Sequence, residues 1–145
     1  STMLGDLLAK AVAIAQRVHA QQVDKIGAPY ILHVMRVMNR GQTLDEKICG
    51  VLHDVVEDSP MTFDDLRKEG FPEHIIEALR CVTKTSEHED YDAFIARIKT
   101  NPLAVRVKLN DLEDNMDIRR LQAVGEKETA RLNKYLKAYR DLTGI

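Results

Sequence analysis

Residues Ile48 to Asp58 read I-C-G-V-L-H-D-V-V-E-D, and this stretch decides the fold. Ile48, Val51, Leu52, Val55 and Val56 are apolar in nearly every direction around a helix. A helix of that kind runs through the middle of a domain rather than along its surface. Its second half nevertheless carries His53, Asp54, Glu57 and Asp58. At helical spacing His53 lies one turn from Glu57, and Asp54 one turn from Asp58. Burying so many ionisable groups is costly unless they are paired or hold a metal. The stretch is therefore a candidate half of a divalent-metal site.

Working outward, the flanking segments also follow helical periodicity. Leu4 to Val23 places Leu4, Leu7, Leu8, Ala11, Ile14, Ala15 and Val18 on one face. Gly27 and Pro29 break the chain before a second helix that opens at Tyr30 and runs to about Asn39 or Arg40. Thr43 and Glu46 are spaced as a capping box for the central helix, and Thr62 caps a short helix over 63–69. Further helices are predicted over 72–83, 91–99, 103–121 and 127–142, with a polar loop at 84–90. Val105 to Leu109 alternates briefly like a strand, but its continuation into Asn110, Asp111 and Leu112 favours helix. The expected fold is all-α: one domain over 1–145, of seven to eight helices around a central buried helix.

The chain has 145 residues and a formal net charge of −2, with 30% charged and 44% hydrophobic residues. That balance suits a globular protein and gives no reason to expect a nucleic acid or a lipid surface as partner. Tryptophan is absent and aromatics are few, which disfavours a stacking platform for single strands. No apolar run approaches the roughly 18 residues that span a bilayer, and no secretory leader is evident. A cytoplasmic location is expected. Cys49 and Cys81 fall in predicted helices and are expected to be reduced. Ser1 and Thr2 stand ahead of Met3 and are expected to be a cloning remnant.

Three segments hold the remaining polar groups of interest: P-Y-I-L-H ending at His33, H-D-V-V-E-D over 53–58, and V-K-L-N-D-L-E-D-N over 107–115. In the third, Asp111 and Asn115 share a face, and Lys108 can pair with Asp111. Two imidazoles and two carboxylates suit manganese, iron, nickel or zinc better than calcium or magnesium. Spacing alone does not show that groups on three helices converge. Taken singly, His33 can equally be a hydrogen-bonding residue at a helix start, and Glu57 and Asp58 a solvated acidic pair. His19 is read as a core or supporting histidine, and His74 and His88 as surface residues. Arg119 and Arg120 either meet phosphate or form surface ion pairs. Lys127, Arg131 and Lys134 form a basic stripe read as a solvated face.

Together and in this order, these segments resemble the HD superfamily of metal-dependent phosphohydrolases. The nearer likeness is to the hydrolase domain of the RelA/SpoT family and its stand-alone small alarmone hydrolases. It is carried by A-x-x-x-A-x-x-x-H at 11–19, D-K-I-G-A-P-Y-I-L-H at 24–33, L-H-D-V-V-E-D-S-P-M-T at 52–62, V-T-K at 82–84 and V-K-L-N-D-L-E-D-N. It covers about residues 8–121, and no synthetase domain is expected after it. The resemblance implies metal ligands at His33, His53, Asp54 and Asp111, with manganese as the cofactor. It implies catalytic roles for Glu57 and Asp58, with Glu57 orienting the water and Asp58 assisting. It implies a nucleotide contact at Asn115; Lys25, a candidate substrate-binding residue, either touches phosphate or is a solvated loop lysine. The implied activity is removal of pyrophosphate from the 3′ position of guanosine tetra- or pentaphosphate.

The chain departs from the family pattern around the base. Where the family commonly has Arg-Lys-Ser-Gly, this chain reads Asp24-Lys25-Ile26-Gly27. A carboxylate does not stack as a guanidinium does. Val34 stands where a proline follows the first ligand, and Ile118 where a threonine is common. The reaction class is thus more firmly implied than the substrate. Another nucleotide or small phosphoester is the alternative, and a non-catalytic binding module the third reading.

Overall fold

The structure is a computed structural model that describes residues 3–145. Ser1 and Thr2, expected to be a cloning remnant, lie outside the described residues. Helix α1 (Met3–Val18) presents Ala11, Ile14 and Ala15 inward, and the two alanines let it lie close against the centre. Helix α2 (Tyr30–Arg40) buries His33, Val34 and Val37. Helix α3 (Leu44–Leu52) is buried from Ile48 to Leu52 without interruption. It packs against α1, α2, α6 (Glu73–Val82) and α8 (Pro102–Asn115), and so forms the axis of the domain.

Gly50 sets how closely α3 meets α2. A Cβ built there would lie 3.2 Å from the Cα and the nitrogen of Met38. The two helices therefore touch backbone to backbone, which a side chain at this position would prevent. That approach draws the His33 and His53 rings to 5.5 Å between centroids.

The all-α expectation is met: the described residues contain no strand, only an isolated bridge between Val23 and Pro29. Each predicted helical segment is found, with three adjustments. The first helix stops at Val18 rather than Val23. The central helix is interrupted at His53 and Asp54 and resumes as α4 (Val55–Asp58). The helix predicted over 103–121 ends at Asn115, and a 3-10 turn follows at Ile118–Arg120. Val105 to Leu109 is helical within α8. The remaining helices are α5 (Phe63–Lys68), α7 (Tyr91–Ile98) and α9 (Glu126–Thr143).

The caps follow the sequence with one change. Thr62 and Asp65 form a reciprocal capping box on α5. Thr43 accepts from the Glu46 amide, but Glu46 turns its carboxylate to the Gln42 amide and to Arg106 instead of back to Thr43. Cys49 is buried, Cys81 half-buried, and both are free thiols.

Candidate metal centre and adjoining cavity

The break after Leu52 is what makes one site from two adjacent residues. On an unbroken helix neighbouring side chains diverge by about 100°. Here His53 keeps helical angles while Asp54 shifts to φ −106° and ψ 2°. His53 Nε2 then lies 3.1 Å from Asp54 Oδ2. From α8, Asp111 Oδ1 lies 3.4 Å from His53 Nε2 and 3.0 Å from His33 Nε2. The ligand atoms of His33, His53 and Asp54 all fall within 4.8 Å of one another. Helices α2 and α8 and the break between α3 and α4 thus bring all four sequence-predicted ligand positions to one point.

A second ring of partners orients these groups. His33 Nδ1 meets Asp114 Oδ2 at 2.7 Å, and His53 Nδ1 meets the Gly50 carbonyl at 2.6 Å. A carbonyl only accepts, so His53 carries its proton on Nδ1 and turns Nε2 to the centre. Tyr30 donates its hydroxyl to Asp54. Lys108 Nζ is 2.9 Å from Asp111 Oδ2, and Asn115 Nδ2 donates to Asp111 Oδ1 at 3.2 Å. Asp114 is wholly buried and also takes Arg36 Nε at 2.8 Å, with Arg40 and Arg120 beside it.

The donor set passes a test of fit to a divalent cation. His53 Nε2 is buried without a well-aligned hydrogen bond, although two carboxylates flank it. Burial would lower both histidines, but hydrogen bonds to Asp111 and Asp114 raise His33, and the charges of Asp54 and Asp111 raise His53 well above the usual value. Burial would raise the aspartates, yet His53 holds Asp54 at about 2, and Lys108 with His53 holds Asp111 well below the carboxylate range. The carboxylates are ionised, and the imidazoles attract positive charge at the point where a cation would sit.

Glu57 and Asp58 lie on the exposed side of α4, next to this set. Glu57 accepts from the Lys84 amide at 3.2 Å, and Asp58 from Gln22 Nε2 at 3.0 Å. Partial burial, then the Asp54 charge, raises Glu57. Burial, with Asp54 adding to it, also raises Asp58. Two carboxyls with raised affinity for a proton, beside a polar centre, suit proton transfer.

Lys25 is not at the metal set. It lines a separate cavity of about 450 Å³ with Tyr30, Asn115, Arg120, Arg131 and Tyr135. Tyr30 and Asn115 join the two, each bonding a carboxylate of the buried set. Asp24 also lines this cavity, and its Oδ1 accepts from the amides of Ile26 and Ala28, which fixes the turn that carries Lys25. Ile26 is half exposed on the cavity wall.

Of the basic stripe on α9, Lys127 and Lys134 are exposed, in keeping with a solvated face, while Arg131 is half-buried and lines the cavity. Lys134 sits 4.6 Å from the Tyr91 ring, and burial followed by the charges of Lys84 and Lys108 lowers its pKa. Arg119 is 86% exposed and pairs with Asp117, whereas Arg120 grips Asp114. Sequence reasoning missed Asp114 and Tyr30. Asp114 carried a signal, since it stands three residues after Asp111 on the same helix.

With this geometry in hand, similarity to known proteins becomes informative. No protein-family model matches the chain. It is 30% identical over 118 residues to a guanosine-3′,5′-bis(diphosphate) 3′-pyrophosphohydrolase of Aquifex aeolicus, covering 74% of this chain and 17% of that protein. The chain is a RelA/SpoT-like HD domain. A GTP pyrophosphokinase of Myxococcus xanthus is 30% identical over 144 residues, 88% of this chain and 19% of its own. This RelA/SpoT-like domain therefore spans less than a fifth of those curated relatives. A solved structure described as a metazoan ortholog of SpoT that hydrolyzes ppGpp superposes with a TM-score of 0.78 at 22% identity, over 94% of this chain and 84% of that one. The fold is shared with it.

Proposed function

We propose that this domain is a metal-dependent phosphohydrolase that removes pyrophosphate from the 3′ position of guanosine 3′,5′-bis(diphosphate). The observation that carries the reading is the meeting of His33, His53, Asp54 and Asp111 beside a cavity walled by Lys25, Arg120 and Arg131. Relatives named as 3′-pyrophosphohydrolases support it, including one of Borreliella burgdorferi that is 40% identical over 80 residues, 52% of this chain.

In this reading His33, His53, Asp54 and Asp111 hold the cation, which we take to be manganese. Bound there, a divalent ion supplies Lewis-acid charge next to the scissile phosphoryl group and makes water more acidic. The chain's own residues do the rest. Glu57 orients the attacking water and takes its proton, with Asp58 assisting. Lys25 and Arg131 neutralise phosphate oxygens, and Asn115 contacts the nucleotide while steadying Asp111. Tyr30 holds Asp54 in orientation.

A second reading keeps the chemistry and changes the base. It is favoured by Ile26, an apolar side chain on the cavity wall where a polar reader of a purine would otherwise stand. Among the described residues no helix is long and apolar enough to cross a membrane, which is compatible with action on a free nucleotide in the cytoplasm. The test is pyrophosphate release from guanosine 3′,5′-bis(diphosphate) and from its adenosine counterpart, with added manganese and with a chelator. Manganese-dependent release from the guanosine compound supports the first reading. Preference for the adenosine compound supports the second. Binding of nucleotide without turnover would sink both in favour of a binding module.

A further inference from the structure

Gln22 bridges two groups that the proposed mechanism leaves unconnected. Its Oε1 is 2.8 Å from His19 Nδ1, and its Nε2 donates to Asp58 Oδ2 at 3.0 Å. His19 is 1% exposed and its Nε2 is buried without a partner. The His19 ring packs 5.1 Å from that of Tyr30. The backbone of Gln22 is pinned at both ends: its amide donates to the His19 carbonyl at 3.1 Å, and its carbonyl accepts from the Tyr30 amide at 2.8 Å.

An amide side chain has one accepting and one donating end, so its orientation follows from its partners. An ionised Asp58 only accepts, which requires the Gln22 NH2 to face it. The Gln22 oxygen then faces His19, which requires a proton on His19 Nδ1. All three hydrogen-bonding states are fixed together, and the second oxygen of Asp58 is left free.

We propose that His19 and Gln22 form a positioning pair that fixes the carboxylate of Asp58, with His19 setting the direction of the amide and the amide setting the direction of the acid. The inference rests on the reading of Asp58 as part of the hydrolytic machinery. It gives a buried histidine that is not among the candidate metal ligands a defined purpose. The bond from Gln22 also opposes the rise in proton affinity that burial imposes on Asp58. The geometry and this opposition act in one direction, toward an ionised and oriented Asp58.

The test has two arms. Long-range nitrogen–proton NMR of the His19 imidazole is expected to show the proton on Nδ1 in the wild type. A proton on Nε2 alone would overturn the arrangement whether or not the protein turns over a nucleotide. In the kinetic arm, with guanosine 3′,5′-bis(diphosphate) and manganese, Gln22→Leu is expected to lose about tenfold or more in kcat, as expected when part of an acid–base contribution is misoriented. KM, manganese affinity and Tm should stay close to wild type. His19→Asn keeps a donor near Nδ1 and should keep most turnover, while His19→Leu should behave like Gln22→Leu. This pair decides the matter if Gln22→Leu folds poorly. Wild-type kcat in Gln22→Leu, or equal losses in His19→Asn and His19→Leu, would overturn the proposal. A wild type with no turnover counts against the proposed function, and the NMR arm still decides the hydrogen-bonded chain.

Discussion

Asp114, with no solvent exposure, accepts a 2.7 Å hydrogen bond from His33 Nδ1 and so dictates which nitrogen of His33 faces the centre. Partners of this kind fix the tautomer and plane of a ligand and typically govern metal affinity by about 10- to 100-fold. Asp114→Asn can present an amide NH2 to the Nδ1 position and so favour the wrong tautomer. It is expected to weaken manganese binding within that range, read by isothermal titration. Unchanged affinity would show that His33 is oriented by Asp111 alone.

The same residue sets an acid limit on stability. Burial would raise the Asp114 carboxyl, but His33 and Arg36, with Arg120 beyond them, hold it at about 2 against an ordinary 3.8. A depressed carboxyl contributes stability that is present above its unfolded value and is lost as pH falls through its folded value. The window is therefore from about pH 4 down to about pH 2, where the imidazoles are protonated and no cation competes. The contribution is at most about 2 kcal/mol, reduced by screening on the solvent-facing sides of the arginines. Denaturant titrations at pH 4 and pH 2.5 should show a smaller fall in stability for Asp114→Asn than for wild type.

Gly50→Ala weighs two opposed effects. Alanine favours a helix over glycine by about 1 kcal/mol. Its Cβ would meet the Met38 backbone at 3.2 Å, and a backbone gives way less readily than a side chain. Overpacking of this sort costs about 1–3 kcal/mol. The expected outcome is a lower Tm, together with weaker manganese binding as α2 and α3 move apart. A raised Tm with intact binding would mean that the helices have slack.

Glu57→Gln separates chemistry from binding. Glu57 touches only the Lys84 amide among hydrogen-bonding partners, and no metal-set residue depends on it for orientation. Its loss is expected to cost about 100-fold or more in kcat while manganese affinity stays within about threefold. Retained turnover would move the base to Asp58.

Asp24→Ala tests the turn. Two backbone amides lose their acceptor, which costs about 1–2 kcal/mol of local stability if they stay unpaired. The loop holding Lys25 and Ile26 should loosen, and KM should rise with little change in kcat. A fall in KM would show instead that the Asp24 charge opposes an anionic substrate.

The chemistry-bearing part of this site was legible from sequence because it resides in short, ordered stretches. H-D at 53–54, the acids at 57–58 and D-L-E-D-N at 111–115 each keep their residues within one turn. The break at Asp54 was not legible, because the residues on either side are equally apolar and nothing punctuates them. The place of Arg131 in the cavity wall was also hidden. It looks like any solvated residue until α9 is seen to lie across α7 and α8, and no local pattern says where this helix docks. The role of Asp24 in its own loop was hidden too, because residue type alone does not show that its carboxylate accepts from the Ile26 and Ala28 amides.

Helix α9 buries a single residue, Ala138, yet provides Arg131, Leu132 and Tyr135 to the cavity. The ligand positions and the acidic pair all stand on α2, α8 and the segment from α3 through α4, without help from it. Part of the cavity wall is thus carried by an element with little stake in the core. Substitutions there meet few packing constraints, so the shape and charge of the cavity can change while the candidate metal centre stays under the strict control of a close-packed interior.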